Sequence, residues 1–122
     1  VRILGFLVVV LVGVAGLGCE GPSCDREPAL TYENWGQAYL STYCTGCHSA
    51  LVEGEPRKGA TVGVDFNTYG DVLAHVERIE ARGTGAAPTM PPSGGPSAQE
   101  VALLDEWLTC AVYPDAAALE AQ

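Results

Sequence analysis

The chain has 122 residues, six basic against 15 acidic for a formal net charge of −9, and 48% of it is hydrophobic. That length suits one small domain, and that charge excludes nucleic acid and anionic membrane surfaces as charge-driven partners. Five cysteines and a single methionine are the side chains whose chemistry needs an account.

Arg2 precedes residues 3–18, which are uncharged and almost wholly apolar or Gly. A short basic start, an apolar stretch and a small-residue exit predict a secretory signal peptide over 1–18. An uncleaved membrane anchor is the alternative, although sixteen residues fall short of the roughly 20 that a span needs. Both readings export the remainder. Cys19 follows directly, and Gly16-Leu17-Gly18-Cys19 is similar to a lipobox, with Gly16 where an aliphatic residue usually stands. The expected product is a periplasmic bacterial lipoprotein, anchored to the membrane through lipid on Cys19. Residues 19–122 carry all 15 acids against five bases, a net −10. A protein partner with a basic docking face fits that charge, and plain solubility accounts for it equally.

Pro22, Pro28 and mixed charge make residues 20–31 an irregular tether, so 19–31 reads as lipidated N-terminus and tether. Thr31 can cap a helix over about 32–47, with Glu33 favourable in its first turn. Trp35, Tyr39, Leu40 and Tyr43 form the apolar face. The helix delivers Cys44-Thr45-Gly46-Cys47-His48, the C-x-x-C-H pattern of covalent haem c attachment. Residues three and four apart share one helical face. Two thiols can therefore bond the porphyrin edge as thioethers while the His48 imidazole takes the iron. A thiol redox pair would want a βαβ context, and a structural zinc site about four Cys or His ligands. The sequence offers neither.

Residues 49–67 read as loop, rich in Gly and charge, with Pro56. Thr68 to Asp71 has capping-box spacing and predicts a helix to Arg82, with Val72, Val76 and Ile79 on one face and Gly83 as the stop. Residues 83–96, dense in Gly and Pro, exclude regular structure. Ser97 to Glu100 is a full capping box that opens a last helix to about Cys110. Its buried stripe is Val101, Leu104, Trp107 and Leu108. Pro114 closes a domain over 32–114, and 115–122 is left as a tail. No strand and no repeat is readable, so the chain is expected to be all-α.

Met90, the only methionine, stands in the Pro- and Gly-rich loop, a poor place for a core filler and a good one for a distal iron ligand. His/Met ligation favours ferrous iron and raises the reduction potential. His75, at the border of its helix stripe, is the competing ligand. Of the remaining cysteines, lipid on Cys19 leaves Cys24 and Cys110 as an even pair for a disulfide in an oxidising compartment. A Cys19–Cys110 bond is the alternative.

Over roughly residues 32–112 the chain resembles the small class I cytochromes c, and more narrowly bacterial cytochrome c-like lipoproteins. Gly36, Leu40 and Cys44 stand four apart, as do the family's helix-crossing Gly, apolar residue and first haem Cys. Leu104-x-x-Trp107-Leu108 looks like its Leu-x-x-aromatic-Leu, and Thr89-Met90-Pro91-Pro92 like its distal loop. The resemblance implies three main helices around one covalently attached haem, with a close crossing at Gly36 against Trp107. The family's proline, whose carbonyl receives the ring N–H of the haem histidine, has no counterpart here unless Pro56 serves. The implied protein is not an enzyme but a single-electron carrier between redox proteins, with His48 and Met90 on the iron. A haem-based small-ligand binding or sensing module and a haem-free thiol redox protein are the alternatives.

Overall fold

A computed structural model describes residues 21–122, so the expected signal peptide and Cys19 lie outside the described residues. Thr31, extended at φ −124° and ψ 170°, accepts the Asn34 N–H at 3.1 Å, while Asn34 Oδ1 accepts the Thr31 N–H at 2.8 Å. This capping box starts a π-helical turn over Tyr32–Gly36 that continues as α1, Gln37–Tyr43. The helix ends short of the expected residue 47. The amides of Cys47 and His48 both return to the Cys44 carbonyl, at 3.2 and 2.9 Å, so the pentapeptide folds as a tight turn.

The helix expected over 68–82 is two helices, α2 (Tyr69–Ala74) and α3 (Val76–Gly83). Thr68 and Asp71 close the capping box of α2. The break falls at His75, whose backbone turns to φ −127° and ψ 16° while its Nε2 meets the Gly63 carbonyl at 3.1 Å. The side chain's bond to a distant loop carbonyl accompanies the loss of regular helix there, which no periodicity in the sequence encodes. α4 (Ala98–Trp107) opens on the Ser97–Glu100 capping box. It then passes through a π-helical turn, Leu108–Val112, into α5, Tyr113–Glu120. The expected tail is therefore helical. Pro114 is the second residue of α5, but Val112 before it is already helical (φ −68°, ψ −46°), so the helix runs on through the proline by way of the π-helical turn. Tyr69 Oη donates to Asp115 Oδ2 at 2.7 Å and Tyr113 Oη to Glu80 Oε2 at 2.5 Å, tying this end back to α2 and α3. The described residues form helices and no strand, an all-α fold, and none of these helices is long and apolar enough to cross a membrane.

One core joins these elements: Tyr39, Leu40, Phe66, Val72, Val76, Ile79, Leu104, Trp107, Leu108 and Val112. Trp107 is fully buried and lies over Gly36 so closely that a Cβ there would overlap its ring. Only glycine permits that approach. Trp35 meets the same indole edge-on at a centroid distance of 5.9 Å. The segment before α1 is irregular but not loose. A disulfide joins Cys24 to Cys110, with Cα atoms 5.5 Å apart, and Arg26 forms a two-point ion pair with Glu106 at 2.5 and 2.8 Å.

Candidate functional site

Beside the core lies a cavity of about 570 Å³, within the range of about 300–1,000 Å³ usual for small-molecule and cofactor sites. The turn after α1 contributes Cys44, Cys47 and His48, and the loop after α3 contributes Met90. Four candidate residues, two of them separated by 42 positions, thus face one space. Tyr39, Phe66, Ile79 and Leu104 supply its apolar wall.

His48 is oriented from behind. Its Nδ1 lies 2.8 Å from the Val64 carbonyl oxygen. A carbonyl only accepts, so Nδ1 carries the proton and Nε2 is left with its lone pair for a ligand. The Phe66 ring lies tilted by 34° against the imidazole at a centroid distance of 5.0 Å, and the Phe66 amide donates to the His48 carbonyl at 3.0 Å. The acceptor is thus Val64, not Pro56. No sequence signal marks it, because any residue can offer a carbonyl.

The loop that presents Val64 is organised by Arg57, a residue left among the loop charges by sequence reasoning. Its side chain is 5% exposed. It pairs with Asp65 at 2.8 Å and donates to the carbonyls of Ser49, Val52, Ala60 and Thr61 at 2.6–3.1 Å. Ser49 and Asn67 add a second set of bonds, Asn67 Nδ2 to Ser49 Oγ and the Ala50 amide to Asn67 Oδ1, both 2.8 Å.

Met90 is 40% exposed, and the amides of Thr89 and Met90 both donate to the Arg82 carbonyl, at 2.8 and 3.0 Å. This carries the loop back across the end of α3. His75 is not among the residues lining the cavity; its ring is spent on Gly63. Burial pushes the Cys44 thiol up to about 12, so it is protonated at neutral pH. Cys44 and Cys47 are not joined to each other, and Cys24 and Cys110 lie outside the cavity lining.

Charge around the cavity departs from the acidic whole. Arg57, Lys58, Arg78 and Arg82, four of the five bases among the described residues, line it. Lys58, Arg78 and Arg82 are exposed at its rim, and among the described residues none of them forms a salt bridge. These residues fit a haem: thiols for its edge, an imidazole with a free Nε2, a thioether on a facing loop, an apolar wall, and unpaired cations for its propionates. No group of three or more His, Cys, Asp or Glu suited to a bare metal ion occurs among the described residues. Comparison with family models, with curated proteins and with solved structures found no match for this chain.

Proposed function

We propose that this chain is a monohaem c-type cytochrome, a single-electron carrier of the small class I kind, exported and held at the membrane by lipid on Cys19. The observation that carries the reading is the meeting of Cys44, Cys47, His48 and Met90 at one cavity. Bound there, haem c would supply one-electron exchange at its iron.

The chain's own residues do the rest. Cys44 and Cys47 would hold the porphyrin edge, and His48 through Nε2 and Met90 through its thioether would hold the iron. Tyr39, Phe66, Ile79 and Leu104 exclude water, and Arg78 and Arg82 answer the propionates. With His48 and Met90 both given to the iron, no position would be left for a substrate, which makes the proposed role that of a carrier and not an enzyme. Its partners are redox proteins. A basic docking face suits the acidic bulk, while a partner reaching the cavity rim meets Lys58 and the two arginines.

The thiol redox reading is weakened by the Cys44 thiol, since reactive thiols have lowered values, not raised ones. The sensing reading draws on Met90, 40% exposed; ready carbon monoxide binding by the reduced protein would favour it. The deciding experiment is maturation in a host with haem-attachment machinery. Haem should stay on the polypeptide through denaturation and acid-acetone extraction, giving the mass of chain plus one haem. Extractable haem, or a polypeptide mass without it, overturns the proposal.

A further inference from the structure

We propose that Arg57 is the positioning residue of the His48 imidazole, setting its tautomer and its strength as a ligand through the Val64 carbonyl. The ligand role of His48 rests on the reading above; the hydrogen-bond geometry does not.

A guanidinium has five N–H donors and no acceptor. In Arg57 all five are used. Nε donates to the Ala60 carbonyl at 3.1 Å. Nη1 donates to Ser49 at 2.6 Å and Val52 at 3.1 Å. Nη2 donates to Thr61 at 2.8 Å and to Asp65 Oδ1 at 2.8 Å. Arg57 therefore lines the cavity with no donor left for an anion inside it, unlike Lys58, Arg78 and Arg82. Its work is done on the chain.

The placement of those bonds is what matters. Ser49 follows His48, and Asp65 follows Val64. One rigid fork thus holds the Ser49 carbonyl beside His48 and the Asp65 carboxylate beside Val64, the two partners of the Nδ1–carbonyl bond. Thr61, also held by the fork, accepts the Val64 amide at 3.1 Å, which fixes the peptide plane on the N-terminal side of Val64. His75 braces the same strip by its contact with the Gly63 carbonyl at 3.1 Å. A buried guanidinium is costly unless paired and fully hydrogen-bonded, and Arg57 satisfies both conditions. A lysine ammonium keeps the charge but has three donors and no planar fork, so it cannot hold all five acceptors.

Outer hydrogen bonds to a ligating histidine fix its orientation and raise its basicity. Loosening the Val64 carbonyl should weaken the imidazole as a donor and raise the reduction potential. The test is made on the matured full chain with Arg57→Lys, which keeps the charge. The expected result is intact covalent haem, a higher potential, and exchange of the His48 Nδ1 proton with solvent, read by NMR, faster by about tenfold, the loss of one hydrogen bond. Asp65→Asn, a milder change that retains an acceptor oxygen, should move both readouts the same way by less, and is read alone if Arg57→Lys does not fold. The Cys24→Ser/Cys110→Ser double variant is the control, because it destabilises the chain from outside the cavity lining and should leave the potential unmoved. An unmoved potential and unmoved proton exchange in the folded Arg57→Lys or Asp65→Asn protein overturn the proposal, whatever the stability loss. A chain that takes up no haem overturns the function reading instead. The clamp is then judged by nitrogen-15 NMR of the purified chain, where Nδ1–H in the native protein and mixed tautomers in the variant support it, and identical tautomers overturn it.

Discussion

The two sides of the cavity are built to different standards. The His48 side is closed by side-chain and backbone bonds at once: the imidazole on Val64, the Phe66 amide on His48, and the five donors of Arg57. The Met90 side hangs on two amides that share the Arg82 carbonyl and on one turn, Gly94 N to Pro91 O at 2.9 Å. No side chain between Gly85 and Pro96 takes part in a hydrogen bond among the described residues. A ligand on the first side is over-determined, whereas one on the second is held by a few backbone contacts. Local opening follows such differences. On the proposed reading, a bond from Met90 to iron would yield before one from His48.

The largest expected effect separates the two sides directly. His48→Ala should prevent accumulation of a folded, haem-loaded protein. Met90→Ala should keep covalent haem, lose the weak long-wavelength band of iron–thioether bonding, lower the potential, and open the iron to added ligands. Absorption spectra and a haemochrome assay of both variants check this. Loss of that band in His75→Ala, with Met90→Ala unchanged, would reverse the ligand assignment.

The same contrast explains what was legible in the sequence. The capping boxes at Thr68 and Ser97 were readable because a side chain at fixed spacing makes the bond. The C-x-x-C-H turn and the lone Met90 stood out by their side chains, and the structure brings them to one cavity. Helix continuation past Pro114 was not readable, since it depends on a π-helical turn that packing of Leu108 and Val112 into the core sustains. Nor was the break at His75, which accompanies a bond to Gly63, twelve positions away. Arg57 and Val64 escaped for the same reason. An arginine among loop charges reads as solvated, and a carbonyl has no letter of its own. Side-chain chemistry was visible; the backbone acceptors that orient it were not.

Away from the cavity, two substitutions test whether the firmness of the His48 side is inherited from the rest of the fold. Removing the Cys24–Cys110 bond, which closes a sequence separation of 86, should cost about 2–5 kcal/mol. The melting temperature should fall with the haem spectrum unchanged, and a changed spectrum would show that the tether reaches the site. Gly36→Ala pushes a methyl into the Trp107 ring and should cost about 1–3 kcal/mol by overpacking. Because Gly36 lies on the helix that leads to Cys44, this variant should also slow haem attachment. Thermal unfolding and the fraction of chain carrying haem measure the two consequences. A Gly36→Ala protein as stable as the parent would mean that the helices separate there without penalty.

The smallest effect is a titration, and it bears on the weaker side. Glu100 accepts from the Ser97 amide and hydroxyl, both at 2.8 Å, and from the Tyr43 hydroxyl at 2.8 Å. The bonds from Ser97, first the amide and then the hydroxyl, followed by that from Tyr43, hold its carboxyl below the ordinary 4.5. Tyr43 lines the cavity, and Gly95 of the Met90 loop packs so near its ring that a Cβ there would lie 3.3 Å away. A group whose folded value lies below its unfolded one stabilises the fold above the unfolded value and loses that contribution as pH falls through the folded one. Acid should therefore loosen this corner once the pH drops below 4.5, with Tyr43 and the Met90 loop the first to feel it. Glu100→Gln should flatten the acid limb of melting temperature against pH, and Tyr43→Phe should flatten it less, because the Ser97 bonds remain. In both variants the iron–thioether band should become less sensitive to acid, while the His48 Nδ1 proton stays protected throughout. Loss of that protection at the same pH would show the two sides opening together, and the difference between them would not hold.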